Sequence, residues 1–188
     1  MQNIKIQTPL SKEILQSLRA GDSVLLSGTI YTARDAAHAR FRTALQNGEE
    51  LPVDLRGQIV YYAGPSPTPP QKVVGAIGPT TSARMDQFTP MMLEYGLCAT
   101  IGKGNRNEET MRAIVEHGSV YFAALGGGAA LGAMCVKELE VVAYDDLGPE
   151  SVKRLVVEDL PLVVAVDCQG NDLYTIGRQT YLESLNEK

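Results

Sequence analysis

This chain of 188 residues is short of positive charge, of pairable cysteines and of long apolar runs, and each shortage removes a class of function. Seventeen Lys and Arg stand against 22 Asp and Glu, a net charge of −5, so the chain lacks the cationic excess that binding to a phosphate backbone requires. No nucleic-acid partner is expected. The three cysteines, Cys98, Cys135 and Cys168, are an odd number at spacings of 37 and 33 residues, which fits neither a disulfide framework nor a CxxC metal or redox pair. They are expected to be reduced and mostly buried. No stretch approaches the ~20 apolar residues that span a bilayer, and the start MQNIKIQTPLSKE has neither the basic opening nor the apolar run of a secretory signal. A cytoplasmic protein without membrane contact is expected. Internal repeats and low-complexity tracts are lacking as well. The 44% hydrophobic content supplies one sizeable core at a length within the ~100–200 residues of an ordinary domain, so residues 1–188 read as a single domain.

What the sequence does have is an alternation of short Val-, Ile- and Leu-rich runs with helical patterns, the mark of α/β architecture. Ser11 is placed to cap a helix over 12–20 that Gly21 stops, and a strand follows over 23–30. Thr32, with Asp35 three residues on, forms a loosely matched capping box for a helix that Gly48 ends. A strand over 58–63 runs into GPSPTPPQ, whose four prolines make a stiff loop. Another strand is predicted over 72–77, then a helix entered through GPTTSARM and reaching Tyr95 before Gly96. Strands over 97–101 and 119–125 flank a helix over 108–117 that Gly118 stops. GGGAALG opens a short helix, 138–144 and 162–167 are late strands, and the tail after Gly170 is polar and peripheral.

Four junctions carry unusual polar residues: SGTIYTARDAAH, GAIGPTTSARMD, ATIGKGNRN and AALGGGAALG. In open α/β sheets, ligands bind beyond the carboxyl ends of the strands, where free N–H groups at helix starts favour anions. Thr32, Arg34, Asp35, Thr80, Thr81, Ser82, Arg84 and Lys103 collect there. Three cations aimed at one crevice of an acidic protein suggest a small anionic ligand, since Arg grips a carboxylate through two parallel hydrogen bonds. Plainer readings stand beside this one. Arg34 and Asp35 could form a surface pair, although the helix dipole disfavours Arg at a helix start. The hydroxyls of Thr80, Thr81 and Ser82 could cap the next helix, and Lys103 could simply occupy a glycine turn. His38, one helical turn after Arg34, either orients it or is a partly buried structural histidine. His117 meets a helix end, and GGGAALG fits neither dinucleotide nor P-loop spacing.

The motifs SGTIYTARDAAH, YYAGPSPTPP, GPTTSARMD and GKGN, standing in this order, resemble the β subunit, or C-terminal domain, of iron–sulfur-dependent class I fumarases and the related tartrate dehydratases. The resemblance runs from TPLSKEILQSLRAGD to VDCQGNDLY, and TARDAAH and AGPSPTPP look more like fumarase. It implies a swivelling β/β/α domain with layered sheet and helices, where the strand-end argument alone points to a generic doubly wound sheet. It also implies reversible hydration of fumarate to (S)-malate with a 4Fe-4S cluster. Such clusters need thiolate ligands, and the cysteines here are spaced unlike any ligand motif, so a separate α subunit is expected to hold the cluster and to complete a site between two chains. By motif, Arg34, Arg84 and Lys103 would bind the substrate's carboxylates and hydroxyl, and Thr80 would take the proton from C3 of malate. Asp35, His38 and Thr81 are given an orienting role. The stretch from Arg84 to Lys103 is about one residue shorter than in single-chain fumarases, and the shortening is expected at Gly96. A tartrate dehydratase subunit and a non-catalytic dicarboxylate-sensing subunit are the competing expectations. In isolation the chain would expose its site face and could self-associate there.

Overall fold

A computed structural model describes residues 3–186. The elements in chain order are β1 (Ile4–Gln7), α1 (Lys12–Ser17), β2 (Ser23–Thr32), α2 (Asp35–Gln46), β3 (Ile59–Tyr61), a 3₁₀ turn (Ser82–Met85) and α3 (Thr89–Tyr95). Then come β4 (Ala99–Gly102), α4 (Glu108–Glu116), β5 (Val120–Ala124), α5 (Ala129–Cys135), β6 (Val136–Ala143), a second 3₁₀ segment (Asp145–Glu150), β7 (Val152–Val166) and α6 (Leu173–Asn186). The architecture is mixed α/β. Strands β1 to β5 pair in parallel, and β7 runs antiparallel to β2, β5 and β6. Because β7 joins β5 on one side and β2 on the other, the pairings β2–β3–β4–β5–β7 close on themselves, with β1 and β6 flanking. The open doubly wound sheet expected from the strand ends alone is thereby replaced by a closed one, whose long return strand β7 was visible in the sequence only in its last third.

Strand alternation divides the core in two. Ile59 and Tyr61 of β3, Ala99 and Ile101 of β4, and Val120 and Phe122 of β5 join Val24, Leu26 and Ile30 of β2 and Leu155, Val157, Leu162 and Val164 of β7 in one cluster. The opposite faces, with Val60 and Tyr121, pack on Ala37 and Phe41 of α2, Met92 and Leu93 of α3 and Ala113 and Ile114 of α4. Both faces of the central strands are buried, which accounts for their nearly unbroken apolar runs.

Several expectations need correction. Residues 72–77 form no strand: after four prolines without N–H groups the backbone turns, Gln71 takes φ +64° and Ser66 N–H donates to the Ala76 carbonyl. Val74 and Ile77 are buried against the first core cluster, and this gave the segment its strand-like pattern. The helix expected from GPTTSARM to Tyr95 breaks between the 3₁₀ turn and α3, with Pro90 in the first turn of α3. Thr32 ends β2 and caps nothing; Arg34 occupies the cap position of α2 and provides no side-chain cap. Helix α1 stops at Ser17, because Leu18 is extended at ψ 141°. β1 was not anticipated, and the polar tail forms α6. Among the described residues no helix is long and apolar enough to cross a membrane.

Candidate functional site

Parallel pairing sends the carboxyl ends of β2, β3 and β4 to the same edge of the sheet, and the polar residues gather on that rim. Arg34 lies two residues beyond β2, and Lys103 follows β4 directly. Between them, residues 79–81 extend the sheet edge: Pro79 bridges Ala63, Thr80 N–H donates to the Tyr62 carbonyl at 2.7 Å, and Thr81 bridges Lys103. Ser82 N–H then donates to the Lys103 carbonyl at 2.9 Å. Arg84, in the 3₁₀ turn, reaches back so that its Nε is 3.3 Å from Asp35 Oδ1 at the start of α2. Arg34, Asp35, Thr80, Thr81, Arg84 and Lys103 therefore share one rim. β4 pairs in unbroken register with β3 and β5, so the direction of Lys103 is set by the sheet, and Gly96 takes the turn ahead of it at φ +116°.

The loop behind Lys103 is tightly built. Ser82 Oγ accepts from Lys103 N–H at 3.0 Å and lies 2.9 Å from the Tyr121 hydroxyl. It also fills the space that a Cβ on Gly102 would need, so only glycine fits there. Gly104 N–H donates to the Tyr174 hydroxyl at 3.1 Å, and its carbonyl lies 2.9 Å from the Tyr121 hydroxyl. Beneath it, Arg106, its side chain fully buried, donates from Nε to Asp86 Oδ1 and from Nη2 to Thr89 Oγ1, both at 2.6 Å, and stacks 4.8 Å from the Tyr121 ring. Asp86 also accepts from Asn107 N–H at 2.9 Å. Arg106 is a residue that sequence reasoning passed over, since its partner stands 20 residues away with no pattern joining them.

Charge on the rim is held in a network. Arg34 Nη2 lies 3.2 Å from Glu150 Oε1 and 3.8 Å from Asp35 Oδ2. Arg34 Nε and Asp35 Oδ2 are buried without a hydrogen-bond partner among the described residues. Glu150 Oε2 accepts from Ala36 N–H at 3.2 Å, supplying the cap that Thr32 was expected to give and offsetting the awkward cation at a helix start. Arg84 is 58% exposed along its side chain, and Lys103 and Thr81 are exposed. The Thr80 hydroxyl has no hydrogen-bond partner among the described residues, and Thr80 is half-buried.

His38 is placed differently from the cations. It is buried among the rings of Phe41, Tyr62 and Phe88 at centroid distances of 5.5, 5.7 and 5.8 Å. Burial depresses its pKa to about 4, so the ring is neutral near pH 7, and Nδ1 lies 2.9 Å from the Arg34 carbonyl. Its contact is with the backbone of Arg34 and not with the guanidinium, while Nε2 has no partner among the described residues.

The cysteines do not fit a metal cluster. Cys98 precedes β4 and Cys168 follows the antiparallel β7, which puts both at the edge opposite the rim, and Cys135 ends α5. Burial pushes the Cys98 thiol up to about 12, the wrong direction for a thiolate ligand. Among the described residues no three His, Cys, Asp or Glu side chains gather as a metal site. The rim is open, and the roomier hollows lie elsewhere, one of them lined by Arg106, Glu108, Met111, Arg112, Asp172 and Ile176 between α4 and α6.

Comparison with known proteins matches residues 1–177 to the family described as "Fumarase C-terminus". "Fumarate hydratase 2" of Leishmania major is 37% identical over 176 residues, 92% of this chain and 31% of that protein. "Fumarate hydratase class I, anaerobic" of Escherichia coli strain K12 is 39% identical over 168 residues, 87% of this chain and again 31% of that protein. The chain thus spans about a third of these relatives. By contrast, a Methanocaldococcus jannaschii protein, provisionally named the L(+)-tartrate dehydratase subunit beta, is 41% identical over 184 residues, 95% of this chain and 94% of its own length.

Proposed function

Because the chain belongs to the fumarase C-terminus family, we propose that it is the β subunit of a two-chain fumarate hydratase that interconverts fumarate and (S)-malate, its fold being the family's swivelling β/β/α domain. The observation that carries this reading is the convergence of Arg34, Thr80, Arg84 and Lys103 on one open rim. Its second chain, an α subunit, carries the 4Fe-4S cluster, for which this chain's cysteines are unsuited.

On this reading the chain's own residues bind and orient the substrate and move one proton. A dicarboxylate brings two negative charges to Arg34, Arg84 and Lys103. The fixed N–H donors of Arg84 and Lys103 also stabilise charge that builds on the carboxylate beside C3 as the C3–H bond breaks, while Arg34 grips the other carboxylate. Thr80 Oγ takes that proton in the dehydration direction and returns it on hydration. A threonine hydroxyl is too weak a base to do so unless its own proton passes on to a carboxylate, and that carboxylate comes from the second chain. Asp35 holds Arg84, Thr81 pairs with Lys103, and His38 holds the Arg34 backbone, which are orienting roles. The apolar helix α5, with Leu131 and Met134 exposed beside Leu125, adjoins the rim where Ile77 N–H donates to the Ala129 carbonyl, and we assign it to the interface with the second chain.

A second reading, an L(+)-tartrate dehydratase subunit, is favoured by the M. jannaschii relative, whose length this chain matches almost completely. Both readings are tested by reconstituting the chain with a cluster-bearing partner and assaying malate, fumarate and both tartrate stereoisomers. Turnover of malate and fumarate above tartrate is the expected result. Thr80→Ala is expected to cut turnover by ~10²–10⁴-fold while leaving the complex assembled. An unchanged rate would instead make the chain a non-catalytic dicarboxylate-binding subunit.

A further inference from the structure

Lys153 of β7 is 6% exposed, yet no carboxylate among the described residues lies within ion-pair distance of its ammonium. Its Nζ donates instead toward neutral oxygens: Ser151 Oγ at 2.6 Å and the carbonyls of Gly148 at 2.9 Å, Pro149 at 3.2 Å and Ser151 at 3.3 Å. All four belong to one sharp turn, where Gly148 takes φ +56°. A buried cation ringed by carbonyl dipoles fixes their directions, because turning any one away would leave both the charge and the oxygen unsatisfied.

Between Pro149 and Ser151 stands Glu150, and the turn is pressed onto the rim. A Cβ on Gly64, just beyond β3, would meet the Pro149 carbonyl at 2.8 Å and Arg34 Cδ at 3.2 Å. The guanidinium of Arg34 is thus packed against Gly64, with Glu150 beside it. One carboxylate oxygen of Glu150 is 3.2 Å from Arg34 Nη2, and the other accepts from Ala36 N–H at 3.2 Å, across 114 residues of sequence. Glu150 is tied at once to the arginine and to the helix that follows it.

We infer that Glu150 is a positioning residue for Arg34, and that the buried ammonium of Lys153 sets Glu150 in place. Insofar as Arg34 binds substrate, this rests on the function proposed above. An arginine held in advance grips a carboxylate equally in the ground state and the transition state, so losing the hold raises KM and spares kcat.

The test uses the reconstituted two-chain enzyme and, separately, the full-length chain by itself. In the enzyme, Glu150→Gln keeps an oxygen to accept from Ala36 and removes the charge. It is expected to raise KM for malate by about tenfold or more with kcat within about threefold. Lys153→Met should shift KM in the same direction, and the double variant should be no worse than the worse single one. An unchanged or lowered KM for Glu150→Gln would overturn the inference, as would additive effects. If Lys153→Met does not fold, Glu150→Gln decides alone. In the isolated chain, hydrogen exchange at the Ala36 amide should quicken about tenfold or more in Glu150→Ala, with β4 and β5 amides unaffected. Unaltered exchange at Ala36 would refute the anchoring itself. If the wild-type pair shows no hydratase activity, the proposed function falls, and the exchange measurement still decides whether Glu150 anchors this helix.

Discussion

Replacing His38 with Phe should flatten the acid limb of this chain's stability curve. The native imidazole is buried against three aromatic rings, with a pKa of about 4 against an ordinary 6.5. The unfolded chain therefore binds a proton that the native state refuses over the interval between those values, and stability rises with pH there. A difference of that size corresponds to ~3 kcal/mol, fully present above pH 6.5 and lost as pH falls to about 4, with a slope approaching ~1.4 kcal/mol per pH unit. Carboxylates protonate in the same range in both proteins, so the informative quantity is the wild type minus the variant. Urea unfolding at half-unit steps from pH 4 to pH 7.5 supplies it. His38→Phe also removes the hydrogen bond to the Arg34 carbonyl, which lowers stability by a nearly constant amount at every pH. The difference between the two proteins should therefore shrink by ~3 kcal/mol from the neutral to the acidic end. If it stays constant, the ring titrates normally in the folded chain, and the account of a neutral core histidine fixing the Arg34 backbone is wrong.

Three other outcomes follow from the same structure. Arg106→Met leaves the Asp86 carboxylate buried without its cation and should cost ~3–5 kcal/mol in urea unfolding; a loss below ~1 kcal/mol would show that the pair does not anchor the 103–107 loop. Gly102→Ala drives a methyl group into Ser82 Oγ and toward Tyr62, and a ~1–3 kcal/mol loss in the same measurement is expected, with none indicating that the loop has room. Met134→Asp, on a side chain 74% exposed, should leave the melting temperature of the isolated chain unchanged and prevent co-elution with the cluster-bearing chain. Undiminished co-elution would place the interface elsewhere.

The legible parts of this chain are those whose physics is local. Ser11 takes the Ile14 N–H, as polar residues before apolar-periodic runs usually do, and Gly48, Gly96 and Gly118 adopt the left-handed turns that follow α2, α3 and α4. Mistaken readings came where a local signal had a non-local cause. Val74 and Ile77 are apolar because they cover the first core cluster, and Thr32 looks like a cap although the carboxylate doing that work belongs to Glu150.

From the residues alone came the α/β alternation, the chain's acidic balance and the set of hydroxyls and cations placed after the strands, because period, capping and charge are written within a few neighbouring positions. Closure of the sheet through β7, the burial of His38, the Arg106–Asp86 anchor and the seating of Arg34 by Glu150 were decided only in three dimensions. Each joins residues from distant parts of the sequence, and nothing in the local pattern selects one partner over another until the sheet and both cores have formed.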